Sequence, residues 1–134
     1  MDITSFDELI SAAKAQSTQQ QLLLVFTKAE LPEDYTEKQS ADYAAGAGGV
    51  LMPIACVDKR AQDVSSFKIL CEEASEFVPD WDIVFAGALS AKVGQTLKGE
   101  DIDKKIGTMV ESIRLGQINQ FATFNRNGEA VNLL

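Results

Sequence analysis

Apolar and polar positions along this chain fall into alternating blocks of helical and strand-like spacing. In TSFDELISAAKA, residues 4–15, Phe6, Leu9, Ile10 and Ala13 share one helical face, and Ser5 followed by Glu8 is a capping-box pattern. Residues 22–26, LLLVF, form a continuous apolar run that suits a strand covered on both faces. Pro32 interrupts the chain, and Thr36 with Gln39 offers a second capping box for a helix running to about Ala45. The strand VLMPIACV, residues 50–57, follows. Pro53 lacks an N–H, which places that strand at a sheet edge or at a bulge.

After Asp58, Val64, Phe67, Leu70, Cys71, Ala74 and Phe77 recur on the face of a third helix. A third apolar strand spans 82–89. A polar loop then leads to a helix with Ile102, Ile106, Met109, Val110 and Ile113 at helical spacing, ended by Gly116. The last segment reads as a β-hairpin, with Asn127-Gly128 as a two-residue type I′ turn. The order αβαβαβαββ predicts an α/β fold, with a mainly parallel sheet, helices packed on its faces and a C-terminal antiparallel hairpin. Residues 1–134 are expected to form one domain, since no linker, repeat or low-complexity segment divides them.

The stretch GAGGVLMPIACVDKR, residues 46–60, looks most like a site. A phosphate-binding glycine loop comes after a strand and before a helix, so that free N–H groups at the helix N-terminus face the phosphate. Here Gly46, Gly48 and Gly49 follow a predicted helix and precede a strand, so they read as punctuation, with Gly46 as the residue ending the helix.

Composition narrows the chemistry. The formal charge of −8 disfavours nucleic acid and anionic membranes as partners. No apolar run reaches the roughly 18–20 residues needed to span a bilayer, and acids stand where a signal peptide carries positive charge, so a cytoplasmic location is expected. The chain has no histidine, which removes the commonest general base and metal ligand. Cys56 and Cys71 match neither a CxxC pair nor half of a zinc site, and they are expected to be free, buried and inert. No cofactor or metal is expected.

The segment from Leu22 to Lys59, together with DWDIVFAGAL and the terminal FNRNGEAVNLL, resembles a family of small proteobacterial proteins often labelled "ribonucleotide reductase subunit alpha". The resemblance implies no catalytic residue, because 134 residues with two cysteines cannot supply that enzyme's catalytic barrel and reducing thiols. It implies at most an accessory or regulatory link to nucleotide metabolism. LLLVF after an N-terminal helix, with a closing hairpin, is also loosely similar to a thioredoxin-like arrangement, but TKAELPED occupies the place of the CxxC.

Two functions are compatible with this reading. One is a non-catalytic binding or regulatory protein that acts through a protein partner or as a homo-oligomer. The other is a protein or enzyme that binds a small anionic or nucleotide-related metabolite at the C-terminal edge of the sheet, where open α/β sheets place their ligands. There, Lys28 and Glu30 after the first strand, Asp58 and Lys59 after the second, and Ser90 and Lys92 after the third would gather. Lys98 joins them because no acid occurs from Ile83 to Gly99, a stretch that also holds Thr96 and the glycines Gly87, Gly94 and Gly99, and a glycine-containing loop can fold its N–H groups into a nest for an anion. Asp58 has a plainer reading as a helix cap. The acids Glu72, Glu73, Glu76, Asp80 and Asp82 read as a solvated face, and Trp81 as a packing residue at a strand end.

Overall fold

The structure is a computed structural model that describes residues 3–30, 50–78, 80–92, 95, 97–118 and 120–131. The predicted helix from Thr36 to Ala45 and the glycines 46–49 lie outside the described residues, as do Gly94 and Thr96. The described elements are α1 (Phe6–Lys14), β1 (Gln20–Glu30), β2 (Val50–Arg60), a 3-10 turn (Ala61–Asp63), α2 (Phe67–Ala74), β3 (Ile83–Ser90), α3 (Gly99–Arg114) and β4 (Ala122–Phe124).

The four strands form one sheet in the order β2-β1-β3-β4, and every neighbouring pair is antiparallel. The mainly parallel sheet read from the sequence is therefore incorrect. β2 and β3 do run in the same direction, with α2 between them in the chain. However, β1 lies between those strands and opposes both. Block alternation gives the presence of a crossover but not which strand fills the gap it spans. The thioredoxin-like arrangement falls with the parallel sheet, since its βαβ unit needs parallel strands.

β1 is central because each of its side chains from Leu22 to Phe26 is fully buried. Its alternate residues enter two cores, as the strand period of two requires. Leu22, Leu24 and Phe26 meet α1, α2, Val84, Ala86, Trp81 and Phe124, whereas Leu23 and Val25 meet Phe85 and the α3 residues Met109 and Ile113. Each such side chain contributes roughly 1.5–3 kcal/mol by leaving water, so this strand holds both layers to the sheet.

β2 shows how Pro53 is accommodated. The register runs Phe26↔Ala55 and then Thr27↔Pro53, which leaves Ile54 as the extra residue of a bulge on the edge strand. A one-residue slip moves side chains to the opposite face. Accordingly, Leu51 packs under α3, whereas Ala55 and Val57 pack against the α1–α2 core.

The caps follow the sequence with local changes. Ser5 Oγ accepts from Glu8 N at 3.2 Å, and the Glu8 carboxylate accepts chiefly from Thr4, whose N donates to it at 2.7 Å. Gly116, at φ +76°, ends α3, with Gln117 N donating to Ser112 O and Gly116 N to Ile113 O. The terminal turn is not type I′, because only Gly128 has positive φ. Gly128 N donates to Asn125 O at 3.0 Å, so Arg126 and Asn127 form a type I turn with Gly128 in the left-handed position after it. Asn125 Oδ1 fastens the loop by accepting from Asn127 N and Glu129 N. Phe77 also departs from its predicted core position and is 60% exposed beyond the end of α2.

Candidate functional site

The antiparallel sheet divides the residues expected at one edge. Lys28 and Glu30 lie at the end of the sheet where β2 and β3 begin, with Glu30 paired to Val50. Lys28 Nζ forms an ion pair with Asp80 at 3.5 Å. Asp58, Lys59, Ser90 and Lys92 belong to the opposite end, beside Gln20 and Gln21.

Even there, neighbouring residues on one strand separate. Asp58 and Lys59 alternate across β2 and point to opposite faces. Asp58 Oδ2 accepts from Gln21 Nε2 at 2.8 Å, so it lies within a strand and caps no helix. The α2 cap is Ser66, whose Oγ accepts from Ile69 N. Lys59 Nζ lies 2.9 Å from Glu73 Oε2. These contacts use Lys28, Asp58 and Lys59 as sheet-surface partners, and the expected cluster does not assemble.

Part of it does. Where β3 runs into the loop leading to α3, a cleft of about 530 Å³ is lined by Ser90, Lys92, Gln95, Lys98 and the α3 residues Asp101, Lys104, Lys105 and Thr108. Its apolar walls are Leu89, Ala91 and Leu97. β3 delivers Ser90, whose hydroxyl donates to Gln20 Oε1 at 2.9 Å, and Ala91 N then bonds Gln19 O at 2.9 Å, which pins the strand exit. Lys98 is the residue before the first turn of α3, and its carbonyl accepts from Asp101 N and Ile102 N.

The apolar face of α3, with Met109 and Ile113 buried, is drawn onto β1 and β3. Gly87 permits the close approach: a Cβ there would lie 3.2 Å from Met109 Sδ. This packing fixes the helix rotation and turns Asp101, Lys104, Lys105 and Thr108 toward the cleft, at the i, i+3, i+4 and i+7 positions of one stripe.

Four of the chain's twelve basic residues therefore meet around one opening in a protein of net charge −8. All four lysines are exposed. Among the described residues, none of them forms an ion pair, in contrast with Lys28 and Lys59. Asp101 also lacks one, although it lines the same cleft. Ser90, Lys92 and Lys98 were legible as candidates, but Lys104 and Lys105 were not. The acid-free run ends at Gly99, and Glu100-Asp101 hides the lysines one turn further on. The signal that would reveal them is helical spacing from Lys98, which carries Asp101 and then Lys104-Lys105 along one side.

The thiols offer less. Cys71 is half-buried, and burial pushes its thiol up against an opposing effect from Arg126. Cys56 is exposed on β2, contrary to the expectation of a buried residue, because the edge strand carries no further layer over that position among the described residues. Partial desolvation still pushes its thiol up, away from the reactive thiolate. Asp82 Oδ2 accepts from Ala29 N at 2.8 Å, and Trp81 is buried edge-on to Phe26, so both serve the sheet. No helix among the described residues is long and apolar enough to cross a membrane. No family model, curated protein or solved structure matches the chain.

Proposed function

We propose that this protein binds a small anionic ligand in the cleft between the end of β3 and α3. The observation that carries this reading is the convergence of Lys92, Lys98, Lys104 and Lys105, free of ion pairs among the described residues, on a cleft of about 530 Å³. Elsewhere the chain's negative charge repels anions, so a local concentration of unpaired ammonium groups is where one would be held. Lysine donates three N–H groups from a compact charge and suits phosphoryl oxygens.

The competing idea, recognition of a protein partner or a second copy, has weaker support. Among the described residues, the exposed large apolar side chains, Met52, Ile54, Ile69, Phe77 and Leu115, are distributed over β2, α2 with its following turn, and the end of α3.

Titration with inorganic pyrophosphate, followed by backbone amide NMR shifts, tests the reading. Saturable shifts are expected at residues 90–92 and 98–108, weakening with added salt and lost in Lys104→Ala/Lys105→Ala. An absence of shifts at millimolar pyrophosphate, or shifts spread equally over Lys14, Lys28 and Lys68, overturns it in favour of partner binding.

A further inference from the structure

We infer that the ligand of this cleft is a small non-aromatic polyol carrying two separated phosphate groups, and not a nucleotide. This rests on the anion-binding reading and adds the ligand class. Charge sets the number of phosphates. Among the described residues the lining holds four lysines and one aspartate, a balance of four minus one, or +3. A phosphate monoester carries roughly −1.5 to −2 at neutral pH. One such group leaves the cleft positive, whereas two bring it close to neutrality.

The placement of charge along α3 sets their separation. Lys98 stands just before the helix and Lys105 seven residues on, so their backbone positions are about 10 Å apart along the axis. One phosphate cannot occupy both ends of that span. Asp101 sits between them, one turn from each cationic end, giving the sequence positive, negative, positive along one wall. An acid at the centre repels a phosphate there and accepts hydrogen bonds from hydroxyl groups. The complementary ligand has anionic ends and a hydroxylated middle.

The walls set the framework. Among the described residues, the apolar lining is aliphatic, Leu89, Ala91 and Leu97, with no aromatic ring on which a nucleobase could stack. A polyol bisphosphate could arrive free or as a lipid headgroup, and the net charge of −8 favours the free molecule over an anionic membrane surface.

Calorimetric titrations at fixed ionic strength with fructose 1,6-bisphosphate, glucose 6-phosphate, ATP and pyrophosphate test the inference. Fructose 1,6-bisphosphate is expected to bind about tenfold or more tightly than glucose 6-phosphate and ATP. In Asp101→Ala, pyrophosphate is expected to bind more tightly and the preference for the bisphosphate over pyrophosphate to shrink severalfold. If pyrophosphate and every other probe fail to bind, the anion-binding reading itself is wrong. If anions bind but ATP or glucose 6-phosphate matches the bisphosphate, or Asp101→Ala leaves the preference intact, the ligand class is wrong and the site stands. Sedimentation with vesicles containing phosphatidylinositol 4,5-bisphosphate is expected to leave the protein in the supernatant. Co-sedimentation would overturn the assignment to a free ligand.

Discussion

Replacing Gly128 by alanine tests how tightly the C-terminal turn is seated on the core. Gly128 has φ +78°, and its carbonyl accepts from Phe6 N at 2.8 Å, which ties the turn to the start of α1. A Cβ at this position would lie 2.8 Å from Phe67 Cδ2 and 3.2 Å from Cε2 and Cγ. Ordinary carbon contacts are about 3.5–4.0 Å. The ring cannot easily retreat, because Phe67 is buried with the Phe6 ring 4.9 Å away and Trp81 edge-on at 6.2 Å.

Two costs therefore add. The left-handed conformation costs an alanine about 1–2 kcal/mol, and overpacking against Phe67 costs a further 1–3 kcal/mol, roughly. Gly116→Ala isolates the first cost, since Gly116 has φ +76° with nothing within 4 Å of its Cβ position. Gly107→Ala has neither cost. It lies inside α3 with open space around it and should stabilise by about 0.5–1 kcal/mol.

Urea unfolding followed by the fluorescence of Trp81, the only tryptophan, reads all three variants. With a denaturant slope of about 1–3 kcal/mol/M, Gly128→Ala should unfold near 1 M lower urea than Gly116→Ala. Equal midpoints for the two would refute the contact between the turn and Phe67.

Two further outcomes are expected. Cys56 should label stoichiometrically with a neutral thiol reagent in the absence of denaturant, while half-buried Cys71 labels more slowly; both should react more slowly at pH 7 than an unstructured peptide thiol, because burial pushes both thiols up. Protection of Cys56 until denaturant is added would place its side chain inside and refute the exposed edge strand. Glu8 is held below its ordinary value of 4.5, chiefly by hydrogen bonds from the backbone and side chain of Thr4. Its contribution to stability is therefore present above pH 4.5 and lost as the pH falls through the lowered folded value, so Glu8→Gln should flatten acid unfolding in that range, and an identical acid profile would show that the contact carries no linkage.

Local features were largely legible in the residues. The Ser5 cap, the apolar faces of α1 and α3, the Gly116 stop and the doubly covered LLLVF strand each depend on neighbours within a turn or two, where spacing alone specifies the geometry. Pro53 indicated an edge or a bulge, because a missing N–H constrains its own strand directly, and the strand has both. Of the candidate site, Ser90, Lys92 and Lys98 were visible as polar residues in an acid-free stretch.

Strand direction was not legible, because a continuous apolar strand requires only cover on both faces, and antiparallel neighbours with a helix on each side provide that equally well. The placement of β1 between β2 and β3 follows from burying Leu22–Phe26 on two sides at once, a choice made by the whole core and not by any segment. That placement sent Lys28 and Lys59 to separate ion pairs and left Asp58 within a strand. Lys104 and Lys105 reached the cleft only because Met109 and Ile113, seated over Gly87, set the rotation of α3. Sequence spacing determined which residues share a helix face. Only the packing of that helix on the sheet decided what the opposite face would meet.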